Sequence, residues 1–221
     1  GYTFLGWNTA VAGSPSTRVA PGTSYTPATP GDFTLYAEWD ADSHTITYDD
    51  NGGTGGPGSE SAVTDALYTV SSTEPTRSGY TFLGWENASG KSLPGGSQFR
   101  IGTTDVTLTA QWLGQTLTLT YDDNVSDETI TVPADAAVEV ETSVTLSSTE
   151  PTRTGYDFGG WTVASDGSGT AYQAGDSFTM PTTATTLYAK WTIQTFTVTF
   201  NANGGTGAPS AVTQNYGTSV D

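Results

Sequence analysis

Three pairs of neighbouring carboxylates, Asp49-Asp50, Asp122-Asp123 and Asp127-Glu128, are the residues with the most obvious capacity for chemistry. Oxygen ligands of this kind suit Ca²⁺, but none of the pairs sits in the spacing of an EF-hand-type loop. Asp beside Asn or Gly more commonly folds its side chain onto its own backbone in an Asx turn. Paired carboxylates also serve glycoside hydrolysis, where an acid and a base must flank a deep cleft. Small modules spend their interiors on holding themselves together and leave little room for one. His44 is the single histidine and there is no cysteine, so a zinc site has too few ligands, and His44 opens a strand with no Ser or Cys motif around it, which argues against a nucleophilic triad. An isopeptide crosslink would draw on Lys91 or Lys190, the two lysines; Lys190 alternates with Ala189 and Trp191 and is expected to face outward. The expectation is therefore no catalytic residue, no metal, no cofactor and no enzyme activity.

The aromatic residues are the other candidates. Tyr80, Phe82, Trp85 and Trp112 have the composition of a sugar-stacking platform, but the same set recurs. Gly1-Tyr2-Thr3-Phe4-Leu5-Gly6-Trp7 returns as Gly79-Tyr80-Thr81-Phe82-Leu83-Gly84-Trp85 and as Gly155-Tyr156-Asp157-Phe158-Gly159-Gly160-Trp161. A second anchor follows each time, as Leu35-Tyr36-Ala37-Glu38-Trp39, Leu108-Thr109-Ala110-Gln111-Trp112 and Leu187-Tyr188-Ala189-Lys190-Trp191. The six tryptophans are thus all repeat positions, with a period of about 77 residues. Recurrence at fixed spacing suits a core, because one large aromatic buries about 150–250 Å² in a small domain that needs it. The expected core is Tyr2, Phe4, Trp7 and Trp39 in the first copy, Tyr80, Phe82, Trp85 and Trp112 in the second, and Tyr156, Phe158, Trp161 and Trp191 in the third. A glycan, if bound, is expected on outward residues such as Tyr36, Tyr172 and Tyr188.

What must position these anchors is a set of strands. Each repeat opens with threonine alternating with large apolar residues: His44-Thr45-Ile46-Thr47-Tyr48, Leu117-Thr118-Leu119-Thr120-Tyr121 and Phe196-Thr197-Val198-Thr199-Phe200. A period of two puts the apolar members on one face, as in a half-buried strand. Turn-rich runs follow, and Asn51-Gly52 and Asn203-Gly204 supply the positive φ that tight turns need. In the closing anchor Leu35, Ala37 and Trp39 share a face; Glu38, Gln111 and Lys190 occupy an outward position whose variation suits solvent. Long helices are not expected amid so much Gly, Pro and Thr, although a helical turn is expected within 62–69 or 97–102.

Composition fits this picture. The chain has 221 residues, 34% of them hydrophobic and 13% charged, with a formal net charge of −17. Such a field argues against nucleic acid and anionic membrane as partners, and no apolar run approaches the length that spans a bilayer.

The order of opening strand, Asn-Gly-Gly turn, Pro-Thr-Arg-x-Gly-Tyr-x-Phe-x-Gly-Trp and Leu-Tyr-Ala-x-Trp resembles the Listeria-Bacteroides repeat, also called the internalin B-repeat. Pro75-Thr76-Arg77-Ser78-Gly79-Tyr80 and Pro151-Thr152-Arg153-Thr154-Gly155-Tyr156 carry the match most fully. The resemblance implies a mainly β, β-grasp-like α+β module with a mixed sheet and a short helix or irregular segment, strung as beads along extracellular, cell-surface or secreted proteins. It implies a structural role in a stalk, fibre or filament, or else adhesion to a host or community protein or glycan. Asn124-Val125-Ser126-Asp127-Glu128 departs from the Gly-Gly turn, so that loop is expected to be rebuilt around an intact core.

The repeats divide the chain at 1–42, 43–113, 114–192 and 193–221, with partial repeats at either end. Two expectations follow. Either the sequence is an excerpt of a continuing array, whose partners are neighbouring repeats, or copies of the chain complement one another. In the second case Phe196, Val198 and Phe200 of one copy, on the strand at 195–200, complete the partial repeat 1–39 of the next.

Overall fold

The Gly-Tyr-x-Phe motif folds as a strand because its aromatic and β-branched residues alternate, and it pairs with the closing anchor of its own repeat. In the computed structural model, which describes residues 1–10 and 17–220, β1 (Tyr2–Asn8) runs antiparallel to β2 (Tyr36–Ala41). Phe4 lies opposite Trp39 and Trp7 opposite Ala37, and the register shifts between Phe4 and Gly6. That shift is a bulge, and it explains the glycine before each tryptophan. Gly6 has φ 139°, and a Cβ there would stand 2.4 Å from the Val19 carbonyl oxygen. Only glycine fits both conditions.

Two compact units contain the rest, one of Gly1–Arg77 with Thr81–Leu113 and one of Ser78–Tyr80 with Gly114–Asp221. In the first, β3 (Ser43–Asp49), β4 (Glu60–Val63), β6 (Tyr80–Asn87), β7 (Ser92–Leu93) and β9 (Val106–Gly114) form one sheet in the order β4-β3-β9-β6-β7. β3 is antiparallel to β4 and parallel to β9, with Ile46 beside Val106 and Tyr48 beside Leu108. A separate ribbon pairs β5 (Leu67–Thr69) with β8 (Gln98–Arg100). Sheet and ribbon enclose Ile46, Tyr48, Tyr68, Val70, Trp85, Leu93, Ile101, Leu108 and Ala110.

The second unit repeats the plan. β10 (Thr116–Asp122), β11 (Ala136–Glu139), β13 (Tyr156–Thr162) and β15 (Thr185–Ile193) make a sheet ordered β11-β10-β15-β13, with β10 and β15 parallel at its centre. β12 (Ser143–Thr145) and β14 (Ser177–Thr179) form the ribbon. Leu119, Tyr121, Val138, Leu146, Trp161, Phe178, Met180, Leu187 and Ala189 fill the core. A last antiparallel pair, β16 (Thr195–Val198) and β17 (Val212–Asn215), follows in the same unit.

The mixed sheet expected from the resemblance is present. The α component is not: among the described residues there is no α-helix; 62–69 runs from the end of β4 through a turn at Thr64 and Asp65 into the ribbon strand β5, and 97–102 contains the ribbon strand β8. The reason is burial on alternate residues. Tyr68 and Val70 point inward from one side of the ribbon and Ile101 from the other, a spacing that a pleated chain satisfies and a helix does not. The following run Ser71-Ser72-Thr73-Glu74-Pro75 is also rich in residues that disfavour helix. The opening strand of the last partial repeat is shorter than expected, since β16 stops at Val198 and Phe200 lies beyond it.

Candidate functional site

The aromatic anchors converge within each complete repeat. Trp85 and Trp161 are 0% exposed. Tyr48 meets Trp85 edge-on at 4.8 Å, and Phe82 lies between Trp85 and Trp112 at 5.2 and 5.5 Å. Tyr121, Phe158, Trp161 and Trp191 reproduce this cluster, with ring separations of 4.8, 5.1 and 5.8 Å. Phe82, Trp112, Phe158 and Trp191 are half-buried and packed against the cores, and Tyr80 and Tyr156 are half-buried. Each edge-to-face pair adds about 0.5–1.5 kcal/mol to the burial of apolar area.

Beside Trp112 and Trp191 the carboxylate pairs find their use. The Trp112 indole N–H donates to the Asp50 carbonyl oxygen at 3.1 Å, and Trp191 does the same to Asp123 at 2.8 Å. The Asp50 side chain accepts the Gly56 amide, and Asp123 accepts those of Val125 and Ile130. Asn51 and Asn124, both at positive φ, donate through Nδ2 to the carbonyls of Ala110 and Ala189 at 3.0 and 3.1 Å. The carboxylates are therefore committed to closing loops over the core. Among the described residues no group of three or more His, Cys, Asp or Glu is placed to hold a metal ion. Asp127 and Glu128 instead hold Arg153 at 3.2 and 3.0 Å, so the loop that lacks Gly-Gly is rebuilt around an intact core as expected.

The second repeat carries a polar chain that the third shortens. The Ser71 amide donates to Tyr48 Oη at 2.8 Å, Tyr48 and Tyr68 hydroxyls meet at 3.0 Å, and Tyr68 donates to Glu60 at 3.0 Å. Burial, reinforced by these hydrogen bonds, pushes the Tyr68 phenol well above its ordinary range. In the third repeat Tyr121 keeps the matching bond from the Ser147 amide, but Val144 and Ala136 stand where Tyr68 and Glu60 would be.

The first copy is different. Tyr2 is 46%, Trp7 41% and Trp39 58% exposed, although Phe4 contacts both tryptophans at 5.3 and 5.1 Å. Its order comes from polar contacts instead. Buried Asn8 donates to Glu38 at 2.9 Å and accepts from Thr17, and Arg18 Nε lies 2.5 Å from Glu38. The Arg18 hydrogen bond, with that of Asn8, holds the Glu38 carboxyl below the usual range against a smaller opposing effect of burial. The outward position thus carries a specific ion pair at Glu38 rather than a freely solvated group.

The remaining expected residues are dispersed. Tyr36 is exposed on β2, whereas Tyr172 packs edge-on against Phe178 at 5.2 Å and pairs by backbone with Trp161, which makes it a poor sugar platform. Tyr188 is half-buried on β15. Phe196 is 41% exposed, Val198 lies opposite Val212, and His44 bonds Thr64 at 2.9 Å. Sequence reasoning missed the loop-closing asparagines, although their recurrence one turn after each opening strand was a readable signal.

Comparison with known proteins agrees with this geometry. The Listeria-Bacteroides repeat domain matches residues 1–38, 44–111, 118–190 and 196–221. A protein of Evansella cellulosilytica named as a Gly-rich membrane protein is 33% identical over all of this chain and 25% of its own length. Another membrane protein by name from the same organism is 31% identical over 72% of the chain and 24% of its own length. Internalin H of Listeria monocytogenes is 38% identical over 40% of the chain and 15% of its own length. The chain spans about a quarter of the first two relatives. It belongs to the Listeria-Bacteroides repeat family.

Proposed function

We propose that this member of the Listeria-Bacteroides repeat family is a structural part of a bacterial cell-surface or secreted protein, its repeats serving as building blocks of a stalk or fibre. The observation that carries the reading is the shortness of the links. β2 ends at Ala41 and β3 begins at Ser43; β9 ends at Gly114 and β10 begins at Thr116; β15 ends at Ile193 and β16 begins at Thr195. A flexible tether needs a run of Gly, Ser or other unstructured residues, and within each unit a single residue leaves no slack. The names of the relatives, membrane proteins and an internalin, support a surface location. The sheet layout, with its parallel central pair, supports reading each repeat as a helix-free variant of the β-grasp. Antibody raised against residues 43–193 is expected to label intact cells expressing the whole parent protein, with the signal lost after protease shaving. Labelling that appears only after permeabilisation would contradict the location.

A further inference from the structure

The same set of contacts surrounds each single-residue link. The Asp42 amide donates to the Gly1 carbonyl at 2.9 Å, and the Asp42 carbonyl accepts the Thr64 amide at 2.9 Å. In the second unit Gln194 bridges Gly155 and Tyr216 in the same way, both at 2.9 Å, and Gln115 bridges Gly79 and Val140 at 2.9 and 3.0 Å. The link side chain reaches the residue after the Gly-Tyr tyrosine: Thr3 donates to Asp42 at 2.7 Å and Gln194 donates to Asp157 at 2.6 Å.

The glycine of Gly-Tyr is where the next repeat presses. A Cβ on Gly1 would come within 2.9 Å of Thr64 Cγ2, one on Gly79 within 3.0 Å of Val140 Cγ1, and one on Gly155 within 2.0 Å of Tyr216 Cδ1. The glycine also needs φ near 76° in the second and third copies. Directly after Thr64, Val140 and Tyr216 comes a residue at positive φ, respectively Asp65, Glu141 and Gly217. At the first two positions its carboxylate accepts the tyrosine hydroxyl, Tyr2 to Asp65 at 2.7 Å and Tyr80 to Glu141. Gly217 has no side chain to offer, and Tyr156 lies under the Arg153 guanidinium at 4.0 Å instead.

We propose that these residues form a joint between successive repeats. Gly-Tyr is the socket, the residue closing the second strand of the next repeat is the plug, the link residue pins them through two backbone bonds, and the tyrosine-carboxylate bond is a lock. The glycine is then needed for the neighbour rather than for its own repeat, and the lock is the adjustable part: present at Asp65 and Glu141, missing at Gly217. Within a unit such a joint ties one repeat to the next, and substitution at one position sets how firmly.

Amide hydrogen exchange on the full chain reads this directly, whatever the parent protein does, so it stands apart from the surface assignment. The amides of Asp42, Thr64, Gln194 and Tyr216 should be protected, Thr64 more strongly than Tyr216. Tyr2→Phe removes only the hydroxyl and should lower Thr64 protection about fivefold, the scale of one charged hydrogen bond at a surface. Gly217→Asp installs the missing carboxylate opposite Tyr156 and should raise Tyr216 protection by about the same factor. The amides of Val70 and Leu146, bonded inside their repeats to Ser97 and Asp176, should not change in either variant. Link amides exchanging at unprotected rates would overturn the joint, and protection indifferent to both substitutions would overturn the lock.

Discussion

Trp7 and Trp85 hold the same place in the same motif, yet Trp85 is sealed and Trp7 is 41% exposed. The strands that carry them are alike: each has a glycine at positive φ before the tryptophan, a phenylalanine three residues before it, and a closing strand alongside. What differs is the opening strand and the ribbon that follows it, both of which the second copy has and the first, among the described residues, does not. Tyr48 from β3 meets Trp85 edge-on, and Ile46, Leu108, Tyr68, Val70 and Ile101 share its core. The difference teaches that the Gly-Tyr-x-Phe-x-Gly-Trp motif specifies a paired strand, whereas burial of its rings depends on the opening strand and the ribbon that enclose it in a complete repeat.

The largest expected effect sharpens this contrast. Trp85→Ala or Trp161→Ala removes a fully buried ring and should destabilise its repeat by about 3–5 kcal/mol. Trp7→Ala should cost roughly 1 kcal/mol or less, since much of that ring stays in water already. Urea unfolding of the three variants measures both, and equal costs would break the comparison.

A smaller effect separates the two complete repeats. Tyr48→Phe leaves the Ser71 amide and the Tyr68 hydroxyl each short of a partner and should cost about 1–3 kcal/mol. Tyr121→Phe loses only the bond from the Ser147 amide and should cost about 1 kcal/mol. A ranking in the opposite order, in denaturant titrations followed by tryptophan fluorescence, would show that the buried polar chain has no consequence.

The mildest effect concerns the first copy alone. Glu38 has a folded-state pKa below its unfolded one, so its contribution is fully present above the unfolded value and fades as pH falls through the folded one. Acidification below about pH 4.5 should therefore speed exchange of the Val19 amide, which bonds Trp7, before it affects the Val70 amide. Glu38→Gln should make Val19 exchange insensitive to the same change.

The strands were legible because Thr alternates with Ile, Leu, Tyr or Phe, and the anchors because every tryptophan recurs. The ribbon at 67–69 and 98–100 was not: its strands have three residues each, too short for a period of two to stand out from a period near four. The roles of Asp50 and Asp123 were hidden because their backbone carbonyls, not their side chains, receive the indole N–H. The links were hidden for a similar reason. Asp42, Gln115 and Gln194 are not all one residue type and act mainly through backbone groups, and the recurrence of Gly before Tyr does not by itself say which neighbour requires it. The exposure of Trp7 and Trp39 follows from three-dimensional cover, which a motif match does not report.

The most direct test of the opening strand's role uses ¹⁹F resonances from fluorotryptophan in the intact chain. Ile46→Ser with Tyr48→Ser keeps β6, its motif and its closing strand but strips the apolar face that covers Trp85. The Trp85 resonance should then move to the solvent-sensitive position of Trp7 while Trp161 stays unchanged. A Trp85 resonance that remains insensitive to solvent in this variant would show that the core is sealed without the apolar face of the opening strand and would contradict the account.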